Sequence, residues 1–432
     1  MRKYLAPYFY RIQNIPTLAT MSVLFTHIRT LVNVREVSHL LRGKELADLP
    51  CIDNAYLIVE GERIAGYGKM SELKYNISDF QEHYDMNGQC ILPSWCDSHT
   101  HLVFAGSREN EFVDKIKGLS YAEIAARGGG ILNSARKLNA VSEEELFYQS
   151  RKRLQEVISL GTGAIEIKSG YGLTLEGELK MLRVIRRLRS DSKIPIRATF
   201  LGAHTFPEEY KSNREAYIQL LIEEMLPAIA REKLADYVDV FCEQGFFTPE
   251  ETEKICLAAK HYSLKPKIHA NQLHASGGVQ AGVKLHAVSV DHLESMDEEA
   301  IQALARSTTI GTLLPTAAFF LRMPFQPARK LIDSNCAIAL ASDFNPGSSP
   351  SGNMNFVVAL SCIQMRMLPE EAINAATING AYAIELQDEV GSIGEGKKAN
   401  LIITQPVSSY RFLPYSFGSN LISKIMLAGE WQ

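Results

Sequence analysis

The stretch Cys90-Ile91-Leu92-Pro93-Ser94-Trp95-Cys96-Asp97-Ser98-His99-Thr100-His101 ends in two histidines one residue apart. Read as one short buried strand, it points residues i and i+2 to the same face, so His99 and His101 converge on one point. Two converging imidazoles are half of a metal site. Alone, they are equally two polar residues at a strand end, and matching ligands further along the chain decide between the readings.

Such residues recur, each closing an apolar run. His204 follows the run from Ile196 to Leu201, and His269 stands in Lys267-Ile268-His269-Ala270. His292 ends Ala287-Val288-Ser289-Val290-Asp291-His292, and Asp343 follows the run from Ala337 to Ser342. Five of the eleven histidines thus fall at predicted strand ends. The other six, at 27, 39, 83, 261, 274 and 286, read as ordinary surface or core residues. Three histidines and a carboxylate suit Zn²⁺ or non-haem iron, with room left for a water whose pKa such a metal lowers to about 7. Asp343 can bind the metal and accept the proton of that water, and His292 is better placed to handle protons than to ligate.

Other residues point to recognition. Arg108, in Phe104-Ala105-Gly106-Ser107-Arg108-Glu109, is a loop arginine that can hold a substrate carboxylate bidentately. Gly170-Tyr171-Gly172 sets a phenol on a loop at the same face. The loop from Asp343 through Asn345, Gly347 and Ser348 to Pro350 offers backbone donors beside a candidate ligand. Gly128-Gly129-Gly130 is a weak signal, since it lacks the Lys-Ser/Thr and the strand context of a phosphate loop.

The elements that must position these groups follow from a change of period. Residues 21–90 read as short alternating strands and turns, and beyond them apolar runs alternate with amphipathic helices. Eight such βα units over about 300 residues predict an α/β fold, a (β/α)8 TIM-like barrel whose strand ends share one face. The tail from 391 returns to strands, so both ends of the chain are expected to build one small β-sandwich domain. The expected division is an N-terminal extension at 1–20, a β-sandwich domain from 21–90 and 391–432, and the (β/α)8 barrel, with its candidate metal site, at 91–390.

Composition excludes other classes. With 46% hydrophobic and 22% charged residues the chain is ordinary for a globular protein, and a net charge of −4 gives no case for nucleic acid or anionic membranes. Seven scattered cysteines without paired spacing predict reduced thiols and a cytoplasmic location. No apolar run reaches the roughly 18 residues of a membrane span.

Together these strings resemble the amidohydrolase superfamily and, within it, the imidazolonepropionases of histidine degradation, from about residue 21 to 430. The strings Asp97 to Arg108, Glu166 to Gly172, Phe200 to His204 and Ser342 to Pro350 carry the resemblance. It implies one divalent or trivalent metal ion per chain, zinc or iron, on His99, His101, His269 and Asp343. It implies substrate contacts from Arg108, Tyr171, His204, Gln272, Asn345, Gly347 and Ser348, with Tyr121 as a further candidate. The reaction so implied is attack of metal-bound hydroxide on the ring carbonyl of 4-imidazolone-5-propanoate, giving N-formimidoyl-L-glutamate, with Asp343 and His292 as catalytic residues. A small-molecule substrate and a homodimer are the expected partners.

The sequence also departs from the pattern. Gln272 stands where some relatives carry Glu, and an amide cannot shuttle protons. Pro93-Ser94 and Ala399-Asn400 replace Pro-Gly and Ala-Asp, differences expected to affect turns only. Competing readings are a nucleobase deaminase, which would want a Glu at 272, and a binuclear hydantoinase or dihydroorotase, which would want a lysine ending the fourth barrel strand. A non-catalytic scaffold is the remaining alternative, and retention of all four ligands argues against it.

Overall fold

The computed structural model describes residues 21–119 and 129–432. The 1–20 extension, Tyr121 and Gly128 lie outside the described residues. The described chain forms two eight-stranded sheets. Strands β1 (Ser22–Val32), β2 (Cys51–Glu60), β3 (Arg63–Lys69), β4 (Glu82–Asp85) and β5 (Gln89–Pro93) come first. Next are β6 (Trp95–Asp97), β7 (Thr162–Lys168), β8 (Ile196–Ala203), β9 (Tyr237–Cys242) and β10 (Lys265–Ala270). The last are β11 (Ser289–His292), β12 (Ile310–Leu313), β13 (Ile338–Leu340), β14 (Leu401–Pro406), β15 (Ile422–Leu427) and β16 (Glu430–Trp431).

Strands β6 to β13 pair in sequence order, all parallel, with helices between them. They are buried on both faces, as parallel strands covered by helices must be, and every residue of β7 is buried. Side-chain caps fix where the helices begin: Thr174 Oγ1 accepts from Gly177 N ahead of the helix Leu175–Asp191, and Thr248 Oγ1 accepts from Glu251 N ahead of Pro249–Lys260. Past the ends of β6 and β13 the barrel is stitched by Asp343 N to His99 O at 3.0 Å and His101 N to Phe344 O at 2.9 Å. Those bonds tie the first candidate ligands directly to the last.

The opening stretch is not one strand. Its first half, β5, pairs antiparallel with β14 in the second sheet, while β6 enters the barrel and both histidines lie beyond its end. The break falls at Ser94, whose N donates to Asn400 O at 2.9 Å. Asn400 in turn donates through Nδ2 to Gly163 O at 2.8 Å and accepts at Oδ1 from Ala428 N at 2.8 Å. A side chain at Gly163 would collide with Ser94 Oγ, so only glycine fits there. The two departures noted at 94 and 400 therefore meet at the junction of the sheets and do more than shape separate turns.

The second sheet runs β16-β15-β14-β5-β1-β2-β3, with β4 also on β1, so both ends of the chain build it. A bridge between Arg63 and Lys398 curls it over a core that includes Phe25, Leu57, Ile91, Leu401 and Met426. Among the described residues no helix is long and apolar enough to cross a membrane.

Candidate metal centre and active site

A cavity of about 570 Å³ opens over the barrel, lined among others by His101, His269, His292 and Asp343, while His99 is wholly buried behind them. His269 Nε2 lies 3.3 Å from His101 Nε2, and Asp343 Oδ1 lies 3.5 Å from Nε2 of both His99 and His101. Two ligands each about 2.1 Å from a tetrahedral ion stand roughly 3.4 Å apart, so this spacing fits one metal. His99 Nε2 and His101 Nδ1 are buried without a hydrogen-bond partner. An orphaned buried nitrogen is costly unless something binds it, and a metal ion at this point would take up the His99 lone pair.

The tautomers are set from below. His99 Nδ1 meets Asp291 Oδ2 at 2.7 Å and His269 Nδ1 meets Asp239 Oδ2 at 2.9 Å. A carboxylate on Nδ1 fixes the proton there and leaves Nε2 as the free lone pair, the usual arrangement behind a ligating histidine. Lys168 Nζ sits 2.8 Å from Glu166 Oε1 and Asp239 Oδ2 and 3.6 Å from Asp291 Oδ2, and Lys267 Nζ sits 2.7 Å from Glu166 Oε2. Burial opposes the Lys168 charge, but Asp239, Glu166 and Asp291 outweigh it and raise its pKa. Burial also opposes ionisation of Asp291, and Lys267 and Lys168 reverse that and hold it ionised. Burial first, then neighbouring Lys168 or imidazoles, keeps His99, His101 and His269 well below the ordinary histidine range. All three are neutral and able to ligate.

Asp343 is pushed up to about 6 by burial, against the pull of His292. Burial disfavours the charge on His292, but Glu294, 3.4 Å from its Nδ1, with Asp343 and Asp291, raises its pKa. Both residues hold left-handed backbones, φ 88° at His292 and φ 52° at Asp343. Such strain at non-glycine residues costs of order 1–3 kcal/mol and clusters at functional sites.

The remaining predicted residues line the same cavity: Arg108, Tyr171, His204, Gln272, Asn345, Gly347 and Ser348. The Tyr171 loop is organised by buried Glu178, which accepts from the backbone N of Gly170, Gly172 and Leu173 at 3.1, 2.8 and 2.9 Å. His204 Nδ1 bonds Gly170 O at 2.9 Å, and burial lowers its pKa to about 4. Asn345 spends its amide on its own turn, donating to Asp343 O and accepting from Gly347 N and Ser348 N. Ser348 Oγ donates to Asp343 Oδ2 at 3.1 Å. Arg108 is ion-paired with Glu111 at 2.7 Å, and a side chain at Gly347 would strike its guanidinium.

Asp239, Asp291, Glu178 and Glu111 also belong to the site, although none is among the residues predicted from the sequence. A signal existed for the first two, since an acid at the centre of an apolar strand such as Tyr237-Val238-Asp239-Val240 is rarely buried unpaired.

A model of the Amidohydrolase family matches residues 90–431. An imidazolonepropionase of Flavobacterium johnsoniae is 57% identical over 95% of this chain and 100% of its own length. One from Clostridium tetani is 45% identical over 90% of this chain and 93% of its own. The chain belongs to the imidazolonepropionase family of amidohydrolases. Solved structures at 14% identity share the fold: a triazine hydrolase variant has a TM-score of 0.72 over 95% of this chain and 94% of its own, and Escherichia coli guanine deaminase one of 0.71 over 96% and 99%.

Proposed function

We propose that this chain is the metal-dependent hydrolase that opens 4-imidazolone-5-propanoate to N-formimidoyl-L-glutamate in histidine degradation. Within the family, the observation that carries the reading is one cavity that joins His101, His269 and Asp343, with His99 directly behind them, to an arginine wall at Arg108. Those four residues would hold the ion, and zinc is the expected metal, with iron equally suited to the donors. A bound ion supplies Lewis acidity and a water acidic enough to ionise near neutral pH.

The chain's own residues do the rest. Arg108 and Tyr171 hold the propanoate and so orient the ring, with His204, Gln272 and the Asn345–Ser348 turn closing round it. Water adds to the ring carbonyl carbon, and the adjacent C–N bond breaks to leave a carboxylate and the formimidoyl nitrogen. Asp343 Oδ2, steadied by Ser348 Oγ, takes the water's proton and passes it to the departing nitrogen. His292, whose imidazolium is favoured by Glu294 at Nδ1, presents its Nε2–H to the oxygen on which negative charge develops.

The rival chemistries lack their parts. Gln272 leaves a deaminase without its shuttle, and Lys168 is enclosed by Glu166, Asp239 and Asp291 and so serves no binuclear centre. We further infer a cytoplasmic homodimer, which light scattering tests. For the activity, the purified chain is assayed on imidazolonepropanoate, adenine, cytosine and hydantoin alongside metal analysis. Turnover of the first is expected, and turnover of a nucleobase alone contradicts the reading.

A further inference from the structure

Arg108, the expected carboxylate anchor, is already committed. Its Nε and Nη2 donate to Glu111 Oε2 at 2.8 and 2.7 Å, and Glu111 is itself held by Gly130 N at 3.2 Å. The pair is neutral in sum, so a net attraction for an anionic tail needs another cation on the same wall. Lys115 supplies one. It lies on the helix Glu109–Ile116, which Arg108 caps, and it lines the cavity. Its Nζ donates to Gly347 O at 3.1 Å, while the Arg108 guanidinium fills the space a side chain on the same glycine would need, so two cations bracket one residue.

An ammonium has three donors, and the bond to Gly347 uses one. The Lys115 Nζ stands 5.6 Å from the centre of the Phe320 ring, and Phe112, Ile116 and Phe320 make this part of the wall apolar. A charge beside such a wall is less screened than one in water. Arg322 also reaches the cavity, but it is exposed and solvent weakens its field.

We propose that Lys115 is a specificity-determining residue whose ammonium pairs with the substrate's propanoate, with Arg108 held rigid beside it by Glu111. This rests on the ring-opening reading given above. The propanoate is remote from the breaking bond, so the contact is made alike in ground and transition states and acts on KM more than on kcat.

The test is steady-state kinetics of the full chain on imidazolonepropanoate and on its propanamide counterpart, the same ring with a neutral tail. Lys115→Met is expected to lower the propanoate-to-propanamide ratio of kcat/KM about tenfold, through KM, as loss of one charge-assisted contact does. Lys115→Arg is expected to restore most of it. An unchanged ratio, or equal losses on both compounds, overturns the proposal. A wild-type chain that turns over neither compound defeats the ring-opening reading itself, a result distinguishable from failure of Lys115 alone.

Discussion

The second sheet packs over an apolar core, whereas the barrel buries a cluster of charged side chains as well as apolar ones. The second sheet closes over Val23, Phe25, Leu57, Ile91, Leu401 and Met426, an apolar core that asks nothing of the sequence beyond alternation. The barrel encloses Glu166, Lys168, Asp239, Lys267 and Asp291, all fully buried, among its strands. Replacing such a charge cluster with apolar residues of the same volume is often neutral or stabilising. The barrel forgoes that option because Asp239 and Asp291 aim His269 and His99 at one point. The difference separates residues that hold the fold together from residues that hold the chemistry in place.

Lys168→Met breaks the comparison hardest. It leaves Asp239 and Asp291 facing each other with only Lys267 nearby, and a stability loss of about 3–5 kcal/mol is expected in urea titration, with metal content falling too. Phe25→Ala should destabilise by about 3 kcal/mol through the cavity it leaves, yet folded protein should keep its metal and its kcat. If Phe25→Ala lost metal while Lys168→Met kept it, the division between the sheets would be wrong. Arg108→Gln should have the smallest effect, raising KM at least about tenfold with kcat changed little, since it removes a charged contact to a remote part of the substrate and leaves Glu111 unpaired beside the substrate's carboxylate. A fall in kcat with KM unchanged would move Arg108 from recognition to the reaction.

The same contrast explains what could be read from the sequence. Histidines at the ends of apolar runs are visible because strand ends in a barrel share a face, and His204, His269, His292 and Asp343 do meet at one cavity. The orientation of those imidazoles is set by acids buried within neighbouring strands, and no local pattern says which way Asp239 or Asp291 points. The split at Ser94 was hidden for a similar reason. Cys90 to Cys96 is one continuous buried run, and only distant partners, Asn400 and Gly163, assign its halves to different sheets. Recognition was legible through the resemblance at Arg108 and Gly347, whereas Glu111 and Lys115 become visible only when the helix is seen against Gly347.

The proposed chemistry turns on a single metal ion held by three imidazoles and one carboxylate. X-ray absorption on the purified chain, with metal analysis of the same sample, tests it directly. One metal per chain is expected, with only nitrogen and oxygen neighbours at about 2.0–2.2 Å. A sulfur neighbour, a second metal at about 3.5–4 Å, or a chain that turns over imidazolonepropanoate with no metal bound would contradict it.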